Sequence, residues 1–266
     1  MPLLSDGDPT PVLLHRPDGA SPILLACDHY GRLIPASLGR LGLPERELVR
    51  HIAWDIGIAG VTTRLADALD AAMVAQRYSR LVIDCNRPPE VASSIPEVSE
   101  TTEIPGNLEL TPAARAERLA AIFAPYHAAI TATLAARNAA GRPTVLVAMH
   151  SFTPVFRGVS RPWHIGTLYG RDGRLARRLG ALLAEEPNLV VGDNEPYRVT
   201  DGTDYTIPVH AERPGLLHVG IEIRQDLIAG ETGQAEWADR LARLLPVAIA
   251  GFPLAPARGP AVAQGA

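Results

Sequence analysis

Four apolar runs of the chain end in side chains able to hold a metal or move a proton. They are Ala26-Cys27-Asp28-His29, Ile83-Asp84-Cys85-Asn86-Arg87, residues 145–148 followed by Met149-His150-Ser151-Phe152, and Val219-Gly220-Ile221-Glu222. Runs this short and apolar are predicted as buried strands, and in an open α/β sheet ligands bind at the carboxyl ends of the strands. Histidine is the commonest metal ligand. One histidine at a strand end is more often a hydrogen-bonded structural residue, whereas two at matching strand ends, His29 and His150, favour a shared ligand. A catalytic zinc takes three protein ligands and keeps a fourth position open. Asp55, between Trp54 and Gly57, is the expected third ligand, with a helix N-cap as its alternative reading. Asp28 is placed to orient a ring or loop behind the ligands. Glu222 either faces solvent by strand alternation or serves as the general base. Asn86 and Arg87, with Arg80 nearby, form a donor cluster suited to a substrate carboxylate or a developing oxyanion; Arg157, Arg161 and Arg224 are further possible clamps. His210 is a substrate-side or proton-shuttling candidate, while His51 and His127 fall in expected helices and are read as structural or exposed.

These residues need a scaffold that brings strand ends together. Strands are expected at 23–27, 73–75, 81–83, 144–149, 164–169, 189–191 and 217–223, and helices at 45–51, 55–71, 111–138, 172–183 and 234–248. Thr111-Pro112 supplies a cap and a first-turn proline for the longest helix. Two long polar loops, 88–110 and 193–215, are too long to be plain connections and read as functional. Alternating strands and helices predict an α/β three-layer sandwich with a central mixed, mostly parallel sheet. Residues 1–252 form a single domain in this reading, and the Pro/Ala/Gly-rich residues 253–266 a flexible tail.

Composition narrows the function classes. The 266 residues are 47% hydrophobic and 20% charged, which suits a globular protein with a large core. A net charge of −4 gives no electrostatic case for nucleic acid or an anionic membrane. All 25 basic side chains are arginines, which excludes Schiff-base and lysine-base chemistry and suits bidentate capture of anions. Two cysteines, Cys27 and Cys85, are too few for a disulfide framework and are read as buried apolar residues in a reducing, cytoplasmic setting. Asp6 and Asp8 replace the basic leader of a signal peptide, and no uninterrupted apolar run approaches a membrane span.

The same residues carry a resemblance. Asp84-x-Asn86-Arg87, His150-Ser151-Phe152 and Glu222 in an apolar strand resemble elements of zinc carboxypeptidase-like folds. With Cys27-Asp28-His29, Trp54-Asp55-Ile56-Gly57, Tyr78-Ser79-Arg80-Leu81, Asn194-Glu195-Pro196-Tyr197 and Ile221-Glu222-Ile223-Arg224, the pattern more closely resembles the N-formylglutamate amidohydrolase family, over nearly the whole chain. The resemblance implies a phosphorylase/hydrolase-like sandwich holding one zinc ion and cleaving the amide of a small N-formyl or N-acyl amino acid. It puts His29 and His150 at ligand positions, Asn86 and Arg87 at substrate-carboxylate positions and Glu222 at the general base. Two departures bear on the peptidase alternative. Arg32 stands three residues after His29, where carboxypeptidases carry a glutamate ligand, and Phe152 replaces a tyrosine. A carboxypeptidase-like peptidase, another N-acyl amino acid hydrolase and a non-catalytic binding relative are the alternatives.

Overall fold

The computed structural model describes residues 2–254; residues 255–266, most of the expected tail, lie outside the described residues. Seven strands form one sheet: β1 (Val12–His15), β2 (Ile23–Cys27), β3 (Ala72–Gln76), β4 (Val145–Phe152), β5 (Ile165–Leu168), β6 (Val191–Asp193) and β7 (Leu217–Arg224). Their order is β1-β3-β2-β4-β7-β5-β6. The central four, β3, β2, β4 and β7, are parallel. Antiparallel pairs join β1 to β3 and β5 to β7, and β6 runs parallel to β5. The sheet is therefore mixed and mostly parallel, as the alternation of elements predicts.

Helices cover both faces, so the central strands are apolar in both directions. Ile23, Leu25, Val147, Met149, Val219 and Ile221 face helices α1 (Ile58–Leu69), α3 (Arg174–Ala184) and α4 (Glu231–Ile249). The alternate residues Leu24, Ala26, Leu146 and Ala148 face helix α2 (Pro112–Ala139), through its Ile122, Tyr126, Ile130 and Leu134. By length and composition α2 could cross a membrane, but this apolar stripe lies in the core. Thr111 caps it, its side chain accepting from the Ala114 amide at 3.2 Å, and a π turn at Leu119–Phe123 runs through it without ending it.

Three expectations shift. Residues 81–83 form no strand. The carbonyls of Leu81 and Val82 are bonded instead by the side chains of Asn107 and Arg118, at 2.9 and 3.0 Å, so a buried apolar run is satisfied without a neighbouring strand. Helix α1 starts at Ile58 rather than 55, because Gly57 takes a left-handed conformation with φ 80°. A Cβ there would lie 2.1 Å from the Ile228 carbonyl oxygen, so only glycine fits. Finally, the loop 193–215 carries a helical turn, Pro208–Glu212.

Candidate metal and substrate site

Register places the reactive side chains. Glu222 on β7 is paired with His150 on β4, and Ala26 on β2 with Ala148. Two residues beyond Ala26, Asp28 reaches the level of His150 on the same face, and its Oδ2 lies 3.1 Å from His150 Nε2. Past the end of β2 the chain turns, and His29 brings its ring centroid within 5.0 Å of that of His150.

Asp55 sits in the turn before α1, not inside the helix. Its amide donates to the His29 carbonyl at 3.1 Å, and Ser151 grips the turn by donating its hydroxyl to the Ile56 carbonyl at 2.9 Å. Asp55 Oδ2 then lies 3.3 Å from His29 Nδ1 and 3.0 Å from His150 Nδ1. All three residues are buried, and together they form a group able to hold a metal ion. Carboxylates engage the far ring nitrogens: Asp84 Oδ1 is 2.7 Å from His29 Nε2, and Asp28 is close to His150 Nε2. With a proton on each Nε2, two imidazole lone pairs and a carboxylate oxygen converge on one point. Such convergence needs a cation or a proton at its centre. The two separations from Asp55 Oδ2 also approach the edge of a tetrahedron with ligand bonds of 2.0–2.1 Å, about 3.4 Å, and all three ligand atoms lie within 4.8 Å of one another. The donor set and geometry therefore fit a zinc-like ion, with carboxylates behind both histidines.

Titration follows this crowding. Burial pushes the Asp55 carboxyl up, but the imidazoles of His29 and His150 reverse the effect and bring it well below the usual carboxylate range. Burial opposes charge on His150, yet the carboxylates of Asp28 and Asp55 beside its ring raise its pKa well above normal. Glu222 behaves in the opposite way. Burial raises its pKa to about 7 against the attraction of His150, and its Oε2 is buried without a hydrogen-bond partner among the described residues.

The cleft over this cluster has a volume of about 540 Å³. Of the sequence-predicted residues, His29, Asp55, Arg80, Asn86, Arg87, His150 and Glu222 line it. Two of them have internal work. Arg80 donates to Asp84 through Nε and Nη2 at 3.0 and 2.6 Å, with Nη1 3.5 Å from Asp55. Asn86 donates to Asp204 at 3.1 Å, while its oxygen accepts from the Tyr205 and Thr206 amides at 3.1 and 3.2 Å. Asn86 thus holds the 203–207 segment against the site. Arg87 donates one Nη1 bond to the Thr203 carbonyl.

The structure does not bring Arg157 or His210 to the cleft wall. Arg157 is exposed on a small hairpin, its amide donating to Glu100. His210 points its Nε2 at His127 Nδ1, 2.9 Å away, in the layer between sheet and α2. His127 is correspondingly buried rather than exposed. Arg224 pairs with Asp226 outside the cleft. Sequence reasoning missed Tyr197 and Arg198 as wall residues. The Tyr197 hydroxyl accepts from Arg161 Nη1 at 2.9 Å, and the Arg161 guanidinium lies over the rings of Phe156 and Tyr197 at 4.6 and 4.8 Å. The quoted Asn194-Glu195-Pro196-Tyr197 motif was the available signal for this wall. Arg198 is exposed and makes no hydrogen bond or ion pair with a described residue.

The family profile described as N-formylglutamate amidohydrolase matches residues 21–229, from before β2 to just before α4, and includes every cleft residue named above. The chain belongs to the N-formylglutamate amidohydrolase family. It is thereby a hydrolase of the amide-cleaving class, acting on a small molecule. Nothing among curated proteins matches it. Among solved structures it is similar to the gene product Atu2144 of Agrobacterium tumefaciens, at 41% identity and a TM-score of 0.90, covering 94% of this chain and 98% of that one. It is also similar to the N-formylglutamate amidohydrolase of Ralstonia eutropha JMP134, at 21% identity and a TM-score of 0.65, covering 90% and 97%. The second likeness shows the shared α/β fold.

Proposed function

We propose that the protein hydrolyses the amide of an N-formyl amino acid of the N-formylglutamate class, with one zinc ion held by His29 Nδ1, Asp55 and His150 Nδ1. The observation that carries this reading is the convergence of three buried ligand atoms beside a glutamate whose Oε2 has no partner. Zinc, when bound, supplies Lewis acidity toward the acyl oxygen and eases the ionisation of water. Glu222 accepts the proton of the water whose oxygen attacks the formyl carbon. It returns that proton to the leaving nitrogen as the C–N bond breaks, giving formate and the free amino acid. Asp84 and Asp28 hold the two imidazoles in the tautomer that turns Nδ1 inward. Arg87 and Arg198 are the cationic groups at the cleft with hydrogen-bonding capacity to spare, and suit the carboxylates of the amino acid. Cytoplasmic residence belongs to the same reading, supported by two buried, unpaired thiols.

The test combines metal analysis with turnover. Protein purified without chelators is expected to carry close to one transition-metal ion per chain and to release formate from N-formylglutamate. Chelation should abolish turnover and added zinc restore it. Metal-free protein with full activity would overturn the ligand assignment. A panel of peptides and longer N-acyl amino acids separates the peptidase and general acylase readings.

A further inference from the structure

We infer that the apolar floor formed by Ala148, Gly220, Leu168 and Ile207 selects the acyl group, admitting a formyl hydrogen and closing against a methyl. This assignment rests on the proposed amide hydrolysis. Strand register supplies the geometry. His150, Glu222 and Gly166 form one row across β4, β7 and β5. Two residues deeper on the same face, Ala148, Gly220 and Leu168 form the next row, about 7 Å away along the strands. Both rows line the cleft through His150, Glu222, Ala148, Gly220 and Leu168, joined by Ile207.

The two halves of the substrate differ in what they need. The amine half carries carboxylates and belongs at the mouth, where Arg198 is exposed and Arg87 half-buried. The acyl half is neutral, and the buried apolar row behind the proposed metal ligands suits it. That row is shallow. A Cβ built on Gly220 would lie 3.0 Å from Ile207 Cδ1 and 3.1 Å from Leu168 Cβ. The tip of Ile207 therefore closes over the position the missing side chain would take, so at Gly220 the floor of the cleft is the Ile207 side chain and its size sets how deep an acyl group can reach. The backbone that carries Ile207 is held in place, since its neighbour Thr206 is tied through both its hydroxyl and its amide. The Thr206 hydroxyl donates to Asp28 Oδ1 at 2.6 Å and its amide to Asn86 Oδ1 at 3.2 Å. The packing that would exclude acetyl is thus anchored to the carboxylate behind His150.

Discrimination of a single methyl by an apolar pocket is worth roughly 10- to 200-fold in kcat/KM. The experiment measures kcat/KM for the N-formyl, N-acetyl and N-propionyl derivatives of glutamate with wild type, Ile207→Val and Ile207→Ala, each zinc-loaded. The acetyl-to-formyl ratio is taken within one preparation, so it does not depend on the fraction folded. It is expected to rise at least about tenfold in Ile207→Ala, with Ile207→Val between, reversing a tenfold or greater exclusion of one methyl. N-acetylglutamate should likewise become a tighter competitive inhibitor of formyl hydrolysis in Ile207→Ala. An unchanged ratio and inhibition constant in a variant that still cleaves the formyl substrate would overturn the floor assignment alone. Failure of zinc-loaded wild type to cleave any of the three would overturn the hydrolytic reading and the floor assignment with it.

Discussion

Lowering pH should destabilise this protein through one buried pair, His127 and His210. The Cys85 carbonyl, 2.8 Å from His127 Nε2, can only accept, so that nitrogen carries the proton. In the neutral ring Nδ1 is then an acceptor, and His210 Nε2 donates to it at 2.9 Å. The rings stack at 15° with centroids 5.1 Å apart, beneath Phe123 and Tyr205. Burial pushes His127 down to about 4, while burial and the neighbouring His127 push His210 to about 3. Both folded values lie below the unfolded value of about 6.5, so the unfolded chain binds more protons as pH falls. The stability these groups preserve is complete above pH 6.5 and is lost between there and pH 3–4. From about pH 7.5 to pH 5.5 the linkage amounts to about 1.4 kcal/mol per histidine, or nearly 3 kcal/mol for the pair. The assay is urea unfolding of wild type and His210→Leu at both pH values in the same metal state. His210→Leu loses a bond to His127, a pH-independent cost of about 1–3 kcal/mol, so the comparison is of slopes. The variant should lose about 1.4 kcal/mol less than wild type over this interval. Equal losses would refute a neutral buried pair.

Replacing Glu222 by Gln should lower kcat roughly 10²- to 10⁴-fold while metal content and melting temperature stay near wild type, because its Oε2 bonds nothing in the described chain; a fully active variant removes its role as base. Asp84→Asn should weaken zinc binding roughly 10- to 100-fold, read by competition with a chromophoric chelator, since Asp84 holds His29 Nε2 at 2.7 Å. Arg198→Ala should raise KM for N-formylglutamate with little change in kcat, the pattern of a lost ground-state carboxylate contact; steady-state kinetics that show an unchanged KM would place the carboxylate elsewhere. Gly57→Ala should destabilise the fold by about 1–3 kcal/mol, because its φ is 80° and the added Cβ would strike the Ile228 carbonyl. Chemical denaturation and zinc affinity should fall together in that variant, since Asp55 lies in the same turn.

The meeting of His29, Asp55 and His150 was legible because each member has a local mark. His29 and His150 follow apolar runs, and Asp55 precedes the glycine that starts α1. The polar partners were less legible. Asn86 and Arg80 have the donor chemistry of substrate ligands, but whether a donor serves a substrate or the protein depends on what stands opposite. Opposite them stand Asp204, the Tyr205 and Thr206 amides, and Asp84. His210 carried no mark of the partner 83 residues before it, His127. The run at 81–83 has a strand's composition, but its carbonyls find side chains from residues 107 and 118.

By itself the sequence determined the alternation of strands and helices, the burial of the central sheet on both faces and the reactive residues at its carboxyl edge, all of which follow from local hydrophobic periodicity. Only the tertiary structure decided which of those residues meet. Strand order sets β2, β4 and β7 side by side, and their register aligns Glu222 with His150. Order and register depend on pairings between residues far apart in the chain, which no local pattern encodes. The same long-range packing turned Tyr197 and Ile207 from loop residues into walls of the cleft.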